Sequence, residues 1–239
     1  NEKCELQVGG SDQWGNIVLG ADLIRRNLVQ TAHALTWPLL TKPDGSKYGK
    51  TAGGETIWLS PEKMSPYRFY QAWISVDDSE VRKLLLQLTF LSPDEIDDLV
   101  AEHDQHPENR LGQRTLAKEL TAIVHGGQAA ASAVEASELL FEPSADISAV
   151  SESALEFISR EVPSTQTPTP QMAIIDCLVE TGLCQSRKDA KRAITEGGIY
   201  VNGDRVNEAE LSLTADHLLH GKYILLRRGK KLWHLLTSG

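Results

Sequence analysis

The order of elements over the first forty residues constrains the fold most strongly. Residues 5–8 read as a strand that runs directly into a Gly-Gly turn, and a helix follows to about residue 29. A second buried strand is predicted over residues 35–40. Two strands joined through a helix form one βαβ unit of a parallel sheet. Because parallel sheets contain several such units and are covered on both faces, we expect the chain to be the C-terminal part of a longer protein.

Apolar residues at helical spacing predict which sides of the helices are buried. In the first helix, which Ser11 or Asp12 is expected to cap, the predicted buried residues are Ile17, Leu19, Leu23, Ile24 and Leu28. From residue 60 to about residue 159 the spacing stays helical. Further helices are predicted to begin at Tyr67, after Asp77 or Asp78 and at Ser92-Pro93, and to cover residues 108–125 and 128–140.

A proline-rich stretch predicts a domain boundary. Residues 162–170 contain three prolines, four hydroxyl residues and no charge, which is the composition of a semi-extended linker. A compact α+β module is predicted beyond it. Its elements are helices over residues 172–181 and 186–196, a strand over 199–201, a turn at Asn202-Gly203, and a hairpin of residues 223–228 and 232–236.

The predicted fold class is multidomain, with α/β, α and α+β parts. Residues 1–59 are predicted to be the end of a Rossmann-like parallel-sheet domain, and residues 60–160 a helical domain. Residues 161–170 are the predicted linker, and residues 171–239 the small α+β domain.

The net charge of −9 is concentrated in the middle of the chain. Counted from the sequence, residues 1–91 carry 10 basic and 10 acidic side chains, residues 92–161 carry 4 and 15, and residues 162–239 carry 10 and 8. We expect the acidic middle to be a solvated face. The mildly basic C-terminal part indicates separate modules with separate partners.

Composition excludes several classes of protein. With 41% hydrophobic and 24% charged residues the chain is typical of a soluble globular protein, and its apolar runs are far shorter than the ~20 residues of a spanning helix. We expect no secretory or transit segment. Three cysteines without a CxxC pair or a neighbouring histidine fit neither a disulfide framework nor a zinc site. We therefore expect a cytoplasmic protein with no metal site and no membrane contact.

The first segment that could carry chemistry is Gln-Val-Gly-Gly-Ser-Asp-Gln-Trp-Gly-Asn, residues 7–16. At the end of a parallel strand, glycine lets a ligand approach the backbone, and the following helix supplies oriented N–H groups. Asp12 could accept hydrogen bonds from ribose hydroxyls, and Gln7 and Gln13 offer neutral donors and acceptors to a carboxylate or hydroxyl. The alternative is a tight turn whose polar residues only cap the helix.

A second segment, Lys-Pro-Asp-Gly-Ser-Lys-Tyr-Gly-Lys-Thr, covers residues 42–51. Lys47 and Lys50 lie three apart on a loop with glycines and hydroxyl residues, where they could follow a triphosphate as charge moves to the departing pyrophosphate. The segment is not a Walker P-loop, because GxxxxGK[ST] is absent. The alternative is an ordinary basic surface loop.

A third segment is basic and helical. Arg187, Lys188, Lys191 and Arg192 fall mostly along one helical side, and Arg205 could extend that side. The residues that could extend it further are Arg227, Arg228, Lys230 and Lys231. A basic face on a small α+β module suits the phosphate backbone of structured RNA. The alternative is a solvated basic helix.

The sequence GGSDQWGN followed by KYGKT resembles bacterial tyrosyl-tRNA synthetases. These are class I aminoacyl-tRNA synthetases in which KYGKT occupies the place of the KMSKS signature. The resemblance covers essentially the whole chain. Its C-terminal part also resembles the small RNA-binding domain shared with a ribosomal small-subunit protein and pseudouridine synthases, and its helical part corresponds to the anticodon-binding domain. The family's HIGH motif and the tyrosine-selecting residues before Gln7 are missing, so we expect this piece alone to be inactive.

The resemblance implies roles for individual residues. Gln7 and Gln13 would bind tyrosine, and Gly10 and Asp12 the ribose of ATP or of tyrosyl-adenylate. Lys47, Lys50 and Thr51 would contact the phosphates and form the catalytic group. The residues implied to contact RNA are Arg187, Lys188, Lys191, Arg192 and Arg205.

The implied function is activation of tyrosine with ATP and transfer of tyrosine to tRNA(Tyr). The implied substrates are L-tyrosine and ATP with Mg²⁺, with no tightly bound cofactor, and the implied assembly is a homodimer. One alternative is a tryptophanyl-tRNA synthetase-like enzyme, which the RNA module and KYGKT disfavour. Another is a non-catalytic RNA-binding protein in which only residues 168–239 act, and the retained GSDQW with both lysines argues against it.

Overall fold

The computed structural model describes residues 4–41, 56–142, 147–167 and 171–238. The chain divides into two compact units, Asn1–Ile57 and Trp58–Gly239. Within the described ranges, no helix combines the length and the apolar character needed to cross a membrane.

The first unit contains the predicted βαβ arrangement. Strand β1 (Leu6–Gly10) is followed by a 3-10 turn at Ser11–Gln13, helix α1 (Trp14–Leu28) and strand β2 (His33–Trp37). The two strands are parallel, with Leu6 opposite His33 and Gly10 opposite Trp37. This confirms the strand, turn, helix and strand order predicted from the sequence.

The predicted buried side of α1 is only partly buried. Ile17 is 3% exposed, whereas Leu19, Leu23 and Leu28 are 65%, 58% and 58% exposed. The prediction was therefore wrong for these three leucines. A helix with its side chains is about 10 Å wide, whereas two paired strands lie about 4.8 Å apart, so the two described strands are too narrow to cover it.

Helices dominate the first part of the second unit. They are α2 (Pro66–Ile74), α3 (Asp78–Leu88), α4 (Pro93–Gln105), α5 (Leu111–His125), α6 (Gly127–Phe141) and α7 (Glu152–Glu161). The largest fully buried side chains among them are Phe69, Leu84, Leu85, Ile96, Leu116, Leu155 and Ile158.

Local capping signals explain where these helices begin. The Ser92 hydroxyl accepts a hydrogen bond from the backbone N–H of Glu95, whose carboxylate accepts one from the backbone N–H of Ser92, so the predicted start is confirmed as a capping box. Helix α5 begins at Leu111 and not at the predicted residue 108. The preceding residues form a 3-10 turn, and Arg110 has a φ of 53°.

The second part of this unit is a five-stranded sheet with two helices on one face. Helices α8 (Ile174–Glu180) and α9 (Arg187–Thr195) pack on that face in one hydrophobic cluster. In chain order the strands are β3 (Ser164–Thr167), β4 (Met172–Ala173), β5 (Ile199–Val201), β6 (Asp204–Arg205), β7 (Ser212–Leu213), β8 (Tyr223–Arg228) and β9 (Leu232–Ser238). The sheet order is β3-β9-β8-β5-β6, and β4 pairs separately with β7.

Part of the predicted linker is a strand of this sheet. Strand β3 pairs in parallel with β9, with Ser164 opposite Leu235 and Thr167 opposite Ser238. The expectation of a linker over residues 161–170 was therefore wrong for Ser164–Thr167, and residues 168–170 lie outside the described ranges. An edge strand pairs on one side only, so prolines close to its ends are compatible with pairing.

The other face of the sheet packs against the helices that precede it. One cluster of buried residues contains Leu155 and Ile158 of α7 together with Tyr223, Leu225 and Leu235 of the sheet. The predicted helical and C-terminal domains thus contribute to one core. Their division into separate domains at residues 160 and 171 stays a prediction.

Candidate functional site

Close packing explains the glycines at the end of β1. A Cβ atom added to Gly10 would lie 2.7 Å from Leu39 Cδ2 and 2.9 Å from Asp12 Oδ1. At Gly9 it would lie 3.0 Å from Ile17 Cδ1 and 3.3 Å from Gln13 Cβ. The turn that joins β1 to α1 therefore places the Asp12 carboxylate directly beside the Gly10 backbone.

Four of the predicted site residues lie on β1 and the turn that follows it. Gln7, Asp12 and Gln13 are exposed, and Gly10 is half-buried at the carboxyl end of the parallel pair. Gln13 is the N-cap residue of α1 and makes no side-chain cap hydrogen bond there, and its Oε1 accepts a hydrogen bond of 3.2 Å from Asn16 Nδ2. The expectation that Ser11 or Asp12 caps α1 was therefore wrong, because the 3-10 turn moves the helix start to Trp14.

The predicted phosphate-binding residues lie outside the described ranges. Lys47, Lys50 and Thr51 all fall between residues 41 and 56. Their roles stay predictions.

The second candidate site is the surface of α9. Its N-cap residue, Ser186, accepts a hydrogen bond of 3.2 Å from the backbone N–H of Asp189. The residues that the helix buries are Ala190, Ala193 and Ile194. Arg187, Lys188, Lys191 and Arg192 are all exposed. The structure therefore confirms that the basic side chains occupy the solvent side of this helix.

Carboxylates already pair with the two arginines of α9. Arg187 donates from Nε and Nη2 to the two carboxylate oxygens of Asp176, at 2.7 Å each. Arg192 Nη2 donates to Asp189 Oδ1 at 3.0 Å. Lys188 and Lys191 have no ion pair with any described residue. The free positive charge of the helix is therefore carried by the two lysines.

Sequence reasoning missed both carboxylates. Asp176 lies eleven residues before Arg187, on α8, so no local pattern connects them. Asp189 also pairs with Arg228, a contact that depends on how α9 packs on β8. The hydrogen bonds from Arg228, followed by the bond from the Gln185 backbone N–H, lower the pKa of Asp189 to about 2.

The last predicted RNA contact, Arg205, reaches the end of α9 from the edge strand β6. Its Nη2 donates to the backbone carbonyl of Glu196 at 3.3 Å. Gly197 has a φ of 70°, and a Cβ atom there would overlap the Arg205 guanidinium. Glycine is therefore required at this position for two reasons, its backbone conformation and the space that Arg205 occupies.

A family profile described as tRNA synthetases class I (W and Y) matches residues 2–142. The chain belongs to this family. A second profile, described as the Tyrosine--tRNA ligase SYY-like C-terminal domain, matches residues 154–236. These matches confirm the resemblance noted in the sequence, with a class I synthetase domain followed by a C-terminal domain of the tyrosine type.

Curated relatives of this family resemble the chain along almost its entire length. A protein of Geobacillus stearothermophilus named Tyrosine--tRNA ligase is 45% identical over 236 residues, which are 98% of this chain and 56% of that protein. A protein of the same name from Desulfitobacterium hafniense is 44% identical, with the same coverage. The chain therefore spans about half the length of the curated relatives that it matches.

A solved structure is also similar to part of the chain. The solution structure of a tyrosyl-tRNA synthetase C-terminal domain is 33% identical, with a TM-score of 0.34, and the match covers 40% of this chain and 97% of that one.

Proposed function

We propose that the protein to which this chain belongs is a tyrosine–tRNA ligase. The observation that carries the proposal is the tyrosine-type C-terminal domain at residues 154–236, because the class I profile by itself includes both tryptophan and tyrosine enzymes. The same observation disfavours the tryptophanyl alternative. The class I domain that precedes it disfavours a protein that only binds RNA.

The proposed reaction has two steps. The tyrosine carboxylate attacks the α-phosphate of ATP, which forms tyrosyl-adenylate and releases pyrophosphate. A terminal ribose hydroxyl of tRNA(Tyr) then attacks the carbonyl carbon, loses its proton, and displaces AMP. Both steps develop charge on phosphate oxygens, so positioned donors accelerate them by electrostatic stabilisation.

The β1–α1 turn would hold the substrates. We propose that Gln7 and Gln13 bind tyrosine and that Gly10 and Asp12 bind the ribose of ATP or of the adenylate. Support for Asp12 comes from its place beside the Gly10 backbone, where a carboxylate can accept two hydroxyl hydrogen bonds.

Three residues of the KYGKT segment complete the proposed catalytic group. We propose that Lys47, Lys50 and Thr51 contact the phosphates. ATP would enter as its Mg²⁺ complex, so that the ion is part of the substrate, and we expect no tightly bound cofactor.

The exposed side of α9 is the proposed RNA contact. Arg187, Lys188, Lys191, Arg192 and Arg205 would lie along the phosphates of tRNA(Tyr). We also propose that the whole protein is a cytoplasmic homodimer.

Amino-acid-dependent exchange of pyrophosphate into ATP, measured with the full-length protein, tests this function. We expect exchange with tyrosine and none with tryptophan, and we expect Lys50→Ala to slow it about 100-fold. Exchange with tryptophan would favour the rival enzyme. Tight tRNA binding with no exchange and no aminoacylation would favour the non-catalytic alternative.

A further inference from the structure

Four residues form one row across four neighbouring strands of the C-terminal sheet. Arg205 of β6 is opposite Tyr200 of β5, Tyr200 is opposite Arg227 of β8, and Arg227 is opposite Trp233 of β9. Opposed residues in antiparallel strands point to the same face of a sheet. Cations and aromatic rings therefore alternate along this row.

Tyr200, Arg227 and Trp233 lie on the face opposite α9, whereas the Arg205 guanidinium reaches the end of α9. The neighbours of Tyr200 along β5 are Ile199 and Val201, and both belong to the cluster under α8 and α9. Because side chains alternate along a strand, Tyr200 points away from that cluster. Trp233 packs at the border of the core shared with α7, and both rings of the row are half-buried.

Arg227 is the unusual member of the row. Only 7% of its surface is exposed. Its Cζ lies 4.1 Å from the centroid of the Tyr200 ring and 5.2 Å from that of Trp233. Its Nε is buried without a hydrogen-bond partner, and no described residue forms an ion pair with it.

Three other arginines of this sheet and its helices have carboxylate partners. Carboxylates pair with Arg187, Arg192 and Arg228, although all three are more exposed than Arg227. Burying a guanidinium without an acceptor is costly. The Tyr200 and Trp233 rings compensate part of the charge of Arg227. They cover the faces of its guanidinium, however, and leave its N–H donors without acceptors.

A phosphate suits these unmet donors. Guanidinium binds phosphate through two parallel hydrogen bonds, and an arginine that is already held by rings loses little freedom on binding. The turn that joins β8 to β9 adds Lys230 and Lys231, which are exposed and have no ion pair with a described residue. Positive charge therefore continues from the row to the adjacent turn.

We propose that the row Arg205–Tyr200–Arg227–Trp233, with the lysines of the adjacent turn, is a second RNA contact in which Arg227 binds a backbone phosphate of tRNA. This inference rests on the proposed function as a tRNA ligase. It differs from the α9 contact because Tyr200, Arg227 and Trp233 lie on the opposite face of the sheet, and Arg205 at the edge strand borders both contacts.

Filter binding of a tRNA(Tyr) transcript across a salt series tests the row. Arg227→Met removes the charge and keeps the length of the side chain. We expect it to weaken binding about three- to tenfold and to lower the slope of log K against log salt by about 0.7–0.9. Arg160→Met is the matched control, because that exposed arginine pairs with Glu156 on α7, and we expect it to change neither value.

Two further variants make each outcome decisive. Lys230→Ala/Lys231→Ala changes only exposed side chains, and we expect it to lower the slope as well. If that variant and Arg227→Met both keep the wild-type slope and affinity, the row only stabilises the sheet and the proposal is overturned. Should Arg227→Met fail to fold, the turn variant decides alone.

The α9 variant Lys188→Ala/Lys191→Ala separates this proposal from the proposed function. A lower slope for the α9 variant with no change for the row variants would overturn the row and leave the function standing. A wild-type protein that does not distinguish tRNA(Tyr) from another tRNA would instead contradict the function.

Discussion

The Arg228 guanidinium donates to both carboxylate oxygens of Asp189, with Nη1 2.7 Å from Oδ2 and Nη2 3.0 Å from Oδ1. This pair joins strand β8 to the first turn of α9. Asp189 also accepts hydrogen bonds from Arg192 and from the backbone N–H of Gln185. One carboxylate thus holds α9 against the sheet, so that Lys188 and Lys191 point to solvent.

Asp189→Asn should lower the thermal midpoint by a few degrees at neutral pH. The amide is uncharged and has one acceptor oxygen, so it cannot accept both hydrogen bonds from Arg228. The pKa of Asp189 is lowered from 3.8 to about 2 in the folded state. Its stabilising effect is therefore complete above about pH 4 and is lost as the pH falls toward 2. Thermal unfolding of the wild type and of Asp189→Asn between about pH 4 and pH 2 measures this effect. The difference between their thermal midpoints should shrink as the pH falls.

Asp97→Asn is the control for that experiment. Asp97 pairs with Arg82 where both side chains are about half exposed, and such pairs contribute little to stability. An equal decrease of the midpoint in the two variants would show that the Asp189 pair has no special role.

The ion pairs of α9 predict which charges contact RNA. Lys188→Ala/Lys191→Ala should lower the salt slope of tRNA binding by about 0.7–0.9 for each phosphate that the variant no longer binds. Asp176→Asn should strengthen binding, because it releases Arg187 from its carboxylate. Filter binding at several salt concentrations measures both effects.

Arg82→Ala/Asp97→Asn is the matched control. It removes one positive and one negative charge from an exposed ion pair outside α9, so the slope should stay unchanged. A decrease of the slope as large as that of the lysine variant would mean that the slope does not report contacts of α9.

Gly112→Ala should destabilise the second unit by about 1–3 kcal/mol through overpacking. The added Cβ would lie 2.5 Å from Val81 Cγ1 and 3.4 Å from the His103 ring, where α5 meets α3 and α4. Gly127→Ala is the matched control in the first turn of α6, where an added Cβ meets no atom within 4 Å. We expect it to increase the free energy of unfolding by about 0.4–1 kcal/mol. Urea denaturation measures both, and equal midpoints would contradict this packing.

Two tyrosines of α2 should resist ionisation. Burial raises the pKa of both Tyr67 and Tyr70 to about 12, with a further contribution from Glu161 at Tyr67. Because their pKa values are higher in the folded state, the neutral phenols stabilise the fold fully below about pH 10, and this contribution is lost as the pH rises toward 12.

An ultraviolet absorbance titration of the phenolates measures this directly. Of the five tyrosines in the chain, two should ionise near pH 12. Tyr67→Phe and Tyr70→Phe should each remove one of these two transitions. Ionisation of all five near pH 10 would contradict the burial of α2.

Local signals in the sequence determined the elements that depend on neighbouring residues. The helix start at Ser92 and the turn at Asn202-Gly203 were predicted, because each arises from interactions within a few residues. The parallel βαβ unit was predicted from the order of its strand, turn, helix and strand. The solvent side of α9 was also predicted, since helical spacing alone separates its basic residues from its apolar ones.

Only the tertiary structure decided contacts between distant segments. Ser164 pairs with Leu235, seventy-one residues later, and the polar, proline-flanked sequence of β3 carries no strand periodicity that announces it. The carboxylate of Asp189 neutralises Arg228 because α9 packs on β8, and the spacing of charges along the helix does not contain that information. Local propensities and caps are properties of a short segment, whereas strand pairing, ion pairing and burial depend on which surfaces the folded chain brings together.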